Sequence, residues 1–199
     1  LAEGLQTALR RVTTKPVSHL VLTSASAERG GAGDRLGAAS LVAHRAAAVA
    51  LAQRNREARA PDVTFDNVFD LEVGGVRLRL HPVGTARDVG QILVEVPDRG
   101  VVFASDLVFP GSATVRFLGY AREPAGVFAA LDTLLALPFE TVIAGHASEP
   151  SDRADVQLQR DYLAALEAAA TQAIATVDAD GAEASVPFAN QWARSKAYV

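Results

Sequence analysis

The stretch from Val63 to Phe103 constrains this chain most, because it reads as strand after strand with no room for a helix. Leu71-Glu72-Val73 and Val76-Arg77-Leu78-Arg79-Leu80 alternate apolar and polar residues about Gly74-Gly75, the pattern of a half-buried hairpin. Ile92 to Val96 and Val101 to Phe103 form a second pair of strands around Pro97-Asp98-Arg99-Gly100. A block of strands in succession needs a neighbouring layer to cover it, and the flanking sequence supplies helices.

On the N-terminal side, Leu5, Ala8, Leu9 and Val12 recur at helical spacing until Lys15-Pro16 ends the pattern. Val17 to Thr23 then reads as a buried strand, and a short helical turn closes at Gly37. Ser40 to Ala43 reads as a second short strand, and a helix runs from His44 to about Arg59, broken by Pro61. On the C-terminal side, Glu123 to Leu137 predicts a helix with Pro124 in its first turn. Thr141 to Ala144 predicts a strand, and Asp152 to about Val177 the longest helix, with Val156, Leu163, Leu166, Ala170 and Ile174 along one face. The tail, with Gly181, Pro187 and Trp192, reads as one more short helix. Alternation, then consecutive strands, then alternation is the signature of an α/β layered domain. No linker or repeat divides it, so residues 1–199 are expected to form a single domain.

Composition narrows the partners. A net charge of −4 disfavours nucleic acid and anionic membrane surfaces, and no apolar run approaches the ~20 residues of a membrane span. Without cysteine there are neither disulfides nor thiolate ligands. The chain also lacks methionine, including an initiator, so it is expected to be a fragment or N-terminally truncated. Nothing in the sequence assigns a compartment or an oligomeric state.

The first strand delivers Thr23-Ser24-Ala25-Ser26-Ala27-Glu28-Arg29-Gly30-Gly31, a small polar loop that ends in a carboxylate, a guanidinium and glycines. Further on, Val96 to Leu107 is a strand pair that ends in Asp106, and Val142-Ile143-Ala144-Gly145-His146 is a strand that ends in Gly-His. With Thr14-Lys15-Pro16-Val17 ahead of them, these landmarks resemble the metallo-β-lactamase superfamily in order and spacing, from about Leu5 to about Ala165. The resemblance implies a four-layer αβ/βα sandwich with a site at one edge between the sheets. The strands that open the family's first sheet have no counterpart before Leu1, so that sheet is expected to be incomplete, with a missing segment or a partner completing it.

The same resemblance implies a metal site with most ligands exchanged. The family's first loop reads Thr-His-x-His-x-Asp-His. Ser24, Ser26 and Arg29 stand here at the three histidines, and Glu28 stands at the aspartate. A further family histidine falls on Arg87, or on Thr85 if the alignment shifts by two. Asp106 and His146 are kept. Catalytic zinc wants three protein ligands and an open position, whereas hydroxyls are poor neutral ligands and guanidiniums cannot ligate. The expectation is therefore a degenerate metal site with no resident cofactor, a pseudoenzyme whose old cleft binds a small molecule or serves a structural role. Arg29 and Arg87 would then stand in for metal beside Glu28 and Asp106.

The alternative is a divergent hydrolase of a small ester, thioester, lactam or lactone. There Glu28, Asp106 and His146 would act catalytically and hold one divalent zinc, manganese or iron ion. Ser24 and Ser26 lack a Gly-x-Ser-x-Gly elbow and read as small polar fillers. His19 reads as a packed strand residue, His44 as a cap or pocket residue, and His81 as a strand-end residue near the site.

Overall fold

The computed structural model describes residues 2–26, 36–55, 59–112, 118–146 and 149–176. Packing divides the chain into two compact units, Leu1–Arg160 and Asp161–Val199. In order, the elements are α1 (Ala2–Val12), β1 (His19–Leu22), β2 (Ser40–His44), α2 (Arg45–Arg54), β3 (Val63–Phe65), β4 (Phe69–Val73) and β5 (Val76–Pro82). There follow β6 (Ile92–Val96), a 3-10 turn (Pro97–Arg99), β7 (Val101–Ala104), α3 (Pro124–Ala136), β8 (Thr141–Ala144) and α4 (Arg153–Thr176).

Two sheets result. The first is parallel throughout and ordered β1-β2-β3, and the second is ordered β4-β5-β6-β7-β8. In the second sheet only β7 and β8 run parallel, with Ala104 paired to Ala144 at their ends. The β4–β5 hairpin turns where expected, on Gly74 and Gly75, both at positive φ.

Alternation along the strands sets the layers. Leu20 and Leu22 of β1, and Leu41 and Ala43 of β2, pack with Ala47 and Leu51 of α2. The intervening Val21 and Val42 face the other way and meet Leu80, Ile92, Leu78 and Val94 of the second sheet. Phe65, stacked on Phe69, closes this inter-sheet core where the chain passes from one sheet to the other. On α3 the stripe Val127, Ala130, Leu131 and Leu134 is buried, at the i, i+3, i+4, i+7 spacing of a core-facing helix. Burial of each such leucine contributes about 2 kcal/mol. The result is an α/β sandwich, as the sequence pattern predicts.

One boundary differs from expectation. The second helix stops at Arg54 rather than near Arg59, because Asn55 leaves helical geometry while its N–H still bonds Leu51 O. Arg59 instead donates to the carbonyls of Ala38 and Ala39 and to Asp62, whose carboxylate accepts the Leu41 N–H at 2.7 Å. These contacts fasten the approach to β3 onto the start of β2. The expected turn ending at Gly37 and the expected tail helix fall largely or wholly outside the described residues.

Candidate functional site

Parallel β7 and β8 end side by side, so whatever follows each strand is delivered to the same place. After Ala104 come Ser105 and Asp106, and after Ala144 come Gly145 and His146. Gly145 packs directly on Ser105: a Cβ there would lie 2.5 Å from Ser105 Oγ and 3.2 Å from Ser105 Cα. That absence of a side chain lets His146 close on Asp106, and its Nε2 bonds Asp106 Oδ1. Asp106 is mostly buried, whereas the His146 side chain is 57% exposed. Asp106 also holds φ at +60°, the one non-glycine at positive φ among the described residues. Aspartate tolerates this region better than most residues, at a cost of about 1–2 kcal/mol.

The loop after β1 crosses to the second sheet. Ile92 N–H donates to Thr23 O at 2.9 Å, and Ala25 N–H donates to Val89 O at 3.0 Å. Thr23, Ser24 and Ala25 are consequently buried, and Ser26 is half-buried. Arg54 supports this crossing from α2. Its guanidinium donates to Ala25 O at 2.5 Å and forms a two-pronged pair with Asp88 at 2.8 Å on each prong. The Arg54 guanidinium holds the Asp88 carboxyl below its ordinary value, and Asp88 in turn raises Arg54.

Segment 84–91 is fixed from both ends. Ala86 O accepts the N–H groups of Arg122 and Glu123, just ahead of α3. The buried amide of Gln91 accepts the Arg87 N–H at 2.9 Å and donates to Ser105 O at 3.1 Å. The Arg87 guanidinium thereby lies over the ring of Phe109, 5.9 Å from its centroid. The Phe109 ring stacks on His146 at 6.0 Å with planes 6° apart. A second buried amide, Gln159 of α4, accepts the Phe109 N–H and donates to Leu107 O, both at 2.8 Å.

The structure therefore brings Arg87, Phe109, His146 and Asp106 together, with the Ser24–Ser26 loop tied to the adjoining strand. Glu28 and Arg29 lie outside the described residues. Thr85, the alternative position to Arg87, presents its carbonyl to Gly126, so close that a Cβ on Gly126 could not fit. His81 does not line the site, because its Nε2 bonds the buried Glu95 at 2.6 Å within the second sheet. His44 caps α2, its Nδ1 accepting the Ala46 N–H, and His19 bonds Ser18. Sequence reading missed Phe109, Gln91 and Gln159. Gln159 carried a signal, since it falls on the apolar face of its helix, three residues after Val156.

The chemistry of the donors decides how a metal would fit. Among the described residues no three histidine, aspartate or glutamate side chains stand together as a metal site. Asp106 and His146 bond one another at the strand ends. Asp106 and His146 are the carboxylate and imidazole that the described residues bring to this strand end, and Glu28, the further carboxylate that sequence places there, lies outside them.

The comparisons agree with this architecture. The sequence model of the metallo-β-lactamase superfamily matches residues 8–146. The chain belongs to that superfamily. Among solved structures it is similar to the metallo-β-lactamase from Pontibacter korlensis, with a TM-score of 0.69 and 23% identity over 81% of this chain and 75% of that one. It is also similar to the DIM-1 metallo-β-lactamase, with a TM-score of 0.65 and 19% identity over 82% of this chain and 76% of that one. At these identities the likeness is one of fold. No curated protein sequence matches the chain.

Proposed function

We propose that this superfamily member binds a small molecule at the strand ends around Asp106 and His146, without a two-metal hydrolytic centre. The observation that supports this reading is the Asp106–His146 hydrogen bond beside the Arg87–Phe109 stack. In it, Asp106 and His146 satisfy each other, and on this reading the guanidinium of Arg87, which cannot ligate, takes the place of a third ligand. Such a cluster organises charge without an ion.

The second reading, a divergent hydrolase of a small ester, thioester, lactam or lactone with a reduced metal site, draws on the same pair. Asp106 and His146 meet at the strand ends, and Glu28 would have to join them.

Elemental analysis of protein purified with added zinc and manganese separates the two, together with its melting temperature with and without chelator. A ligand that binds only the folded state raises its stability. The binding reading expects no retained metal and no chelator shift. Near-stoichiometric metal, with a chelator-sensitive melt abolished by His146→Ala, would overturn it in favour of the hydrolase.

A further inference from the structure

A second cleft, of about 490 Å³, lies along α2, lined among others by Arg45, Val49, Arg54, Asp66, Val89 and Arg122. That volume falls within the range of small-molecule sites. Its walls and floor differ in chemistry. Ala46, Val49, Ala50 and Val89 supply an apolar floor, and Val49 is 53% exposed, large for a valine with no surface role. The walls carry three guanidiniums, and two of them are already oriented. Arg45 Nε bridges both oxygens of Asp66 at 2.8 and 2.9 Å, and Arg54 forks onto Asp88.

Arg122 differs. It is exposed, its backbone N–H is fixed on Ala86 O, and among the described residues its guanidinium makes no hydrogen bond, acting on Asp88 only through space. With Asp66 in the lining and Asp88 behind Arg54, three guanidiniums meet two carboxylates, which leaves one net positive charge here on a chain whose net charge is −4. A monoanion is what such a cleft would draw out of solution, and an apolar floor selects one with an apolar body.

We infer that this cleft is a second ligand site, for a small organic carboxylate that places its charge on Arg122 and its apolar body on Val49 and Val89. The planar five-donor fork of arginine matches a carboxylate in two-pronged geometry. Arg54 lines the cleft and also donates to Ala25 O in the loop that carries Ser24 and Ser26. Occupancy is therefore expected to be felt at that loop.

Amide-resolved NMR titration tests this with benzoate as probe, benzamide as its uncharged isostere and inorganic phosphate as the charge without the body. Benzoate is expected to give saturable shifts at Val49, Val89 and Ala25, with benzamide and phosphate each at least several-fold weaker. Arg122→Gln should weaken benzoate about tenfold, the scale of one charge-assisted contact. Val49→Asp should abolish the shifts, and Arg87→Gln should leave them intact. The spectra themselves report that each variant is folded. No saturable shift would overturn the assignment, as would shifts centred on Phe109 and His146 that vanish in Arg87→Gln. Phosphate binding as tightly as benzoate would overturn the ligand class.

Discussion

Gly145 sets the geometry of the candidate site more sharply than any charged residue in it. The strands β7 and β8 leave the sheet in register, and the next residues can approach only because one of them has no side chain. Ser105 Oγ is part of a short side chain with little freedom, and Ser105 Cα is backbone, so an added methyl must push the strand ends apart. Gly145→Ala is expected to cost about 1–3 kcal/mol in urea unfolding and to release His146 from Asp106. The ring protons of His146, observed by NMR, should then shift toward those of a free imidazole. Combining it with Ser105→Gly removes the Oγ and Cβ contacts and should recover part of both losses, since the two residues touch. Additive losses in the double variant would show that the close approach is not what positions His146.

At the level of elements, two buried amides hold the segment that carries Asp106 and Phe109. Gln91, at the start of the run into β6, joins Arg87 to Ser105, and Gln159, from α4, satisfies both Leu107 O and Phe109 N–H. Gln159→Leu keeps the volume but leaves a buried donor and a buried acceptor unpaired, a loss of about 1–3 kcal/mol. Thermal unfolding should show it, and the near-ultraviolet signal of Phe109 should change because its backbone anchor is gone. Gln159→Glu keeps an acceptor for Phe109 N–H but sets a second acceptor against Leu107 O, so it should recover stability only at acid pH, where the protonated carboxyl can donate; no gain on acidification relative to Gln159→Leu would argue that the amide is a spacer only. These ties also mark how far the sequence could be read. Strand order and helix placement were legible because period-two and period-3.6 patterns report local burial, as with Leu41, Val42 and Ala43 or the stripe on α3. So were Asp106 and His146, at strand ends. The position of Phe109 was not, because nothing local distinguishes an aromatic in a turn that meets two residues far along the chain. Arg54 and Asp88 were equally silent, since their pairing depends on the helix ending at Arg54 and on Ala25 crossing to Val89.

Across the Leu1–Arg160 unit, several carboxylates share one electrostatic sense. Asp88 is held below its ordinary value chiefly by the Arg54 hydrogen bonds, Asp70 chiefly by Arg79, and Asp62 chiefly by the backbone N–H of Leu41. In each case the unfolded chain binds a proton at higher pH than the folded one does, so stability rises with pH wherever that difference operates. The contribution is complete above the unfolded carboxylate value, about pH 4, and is lost as pH falls through the lower folded values. Urea midpoints are therefore expected to be insensitive to these groups between about pH 5 and 7, and to drop steeply below about pH 4. Asp88 is the least exposed of the three in its pairing, and its partner ties α2 to the β1 loop. Asp88→Asn should lower stability at neutral pH by about 1–2 kcal/mol and flatten the acid limb, because the variant has no proton to take up there. If the acid limb kept its full slope while neutral stability fell, Arg54 would be acting through Ala25 O alone, and the charge of Asp88 would be incidental to the fold.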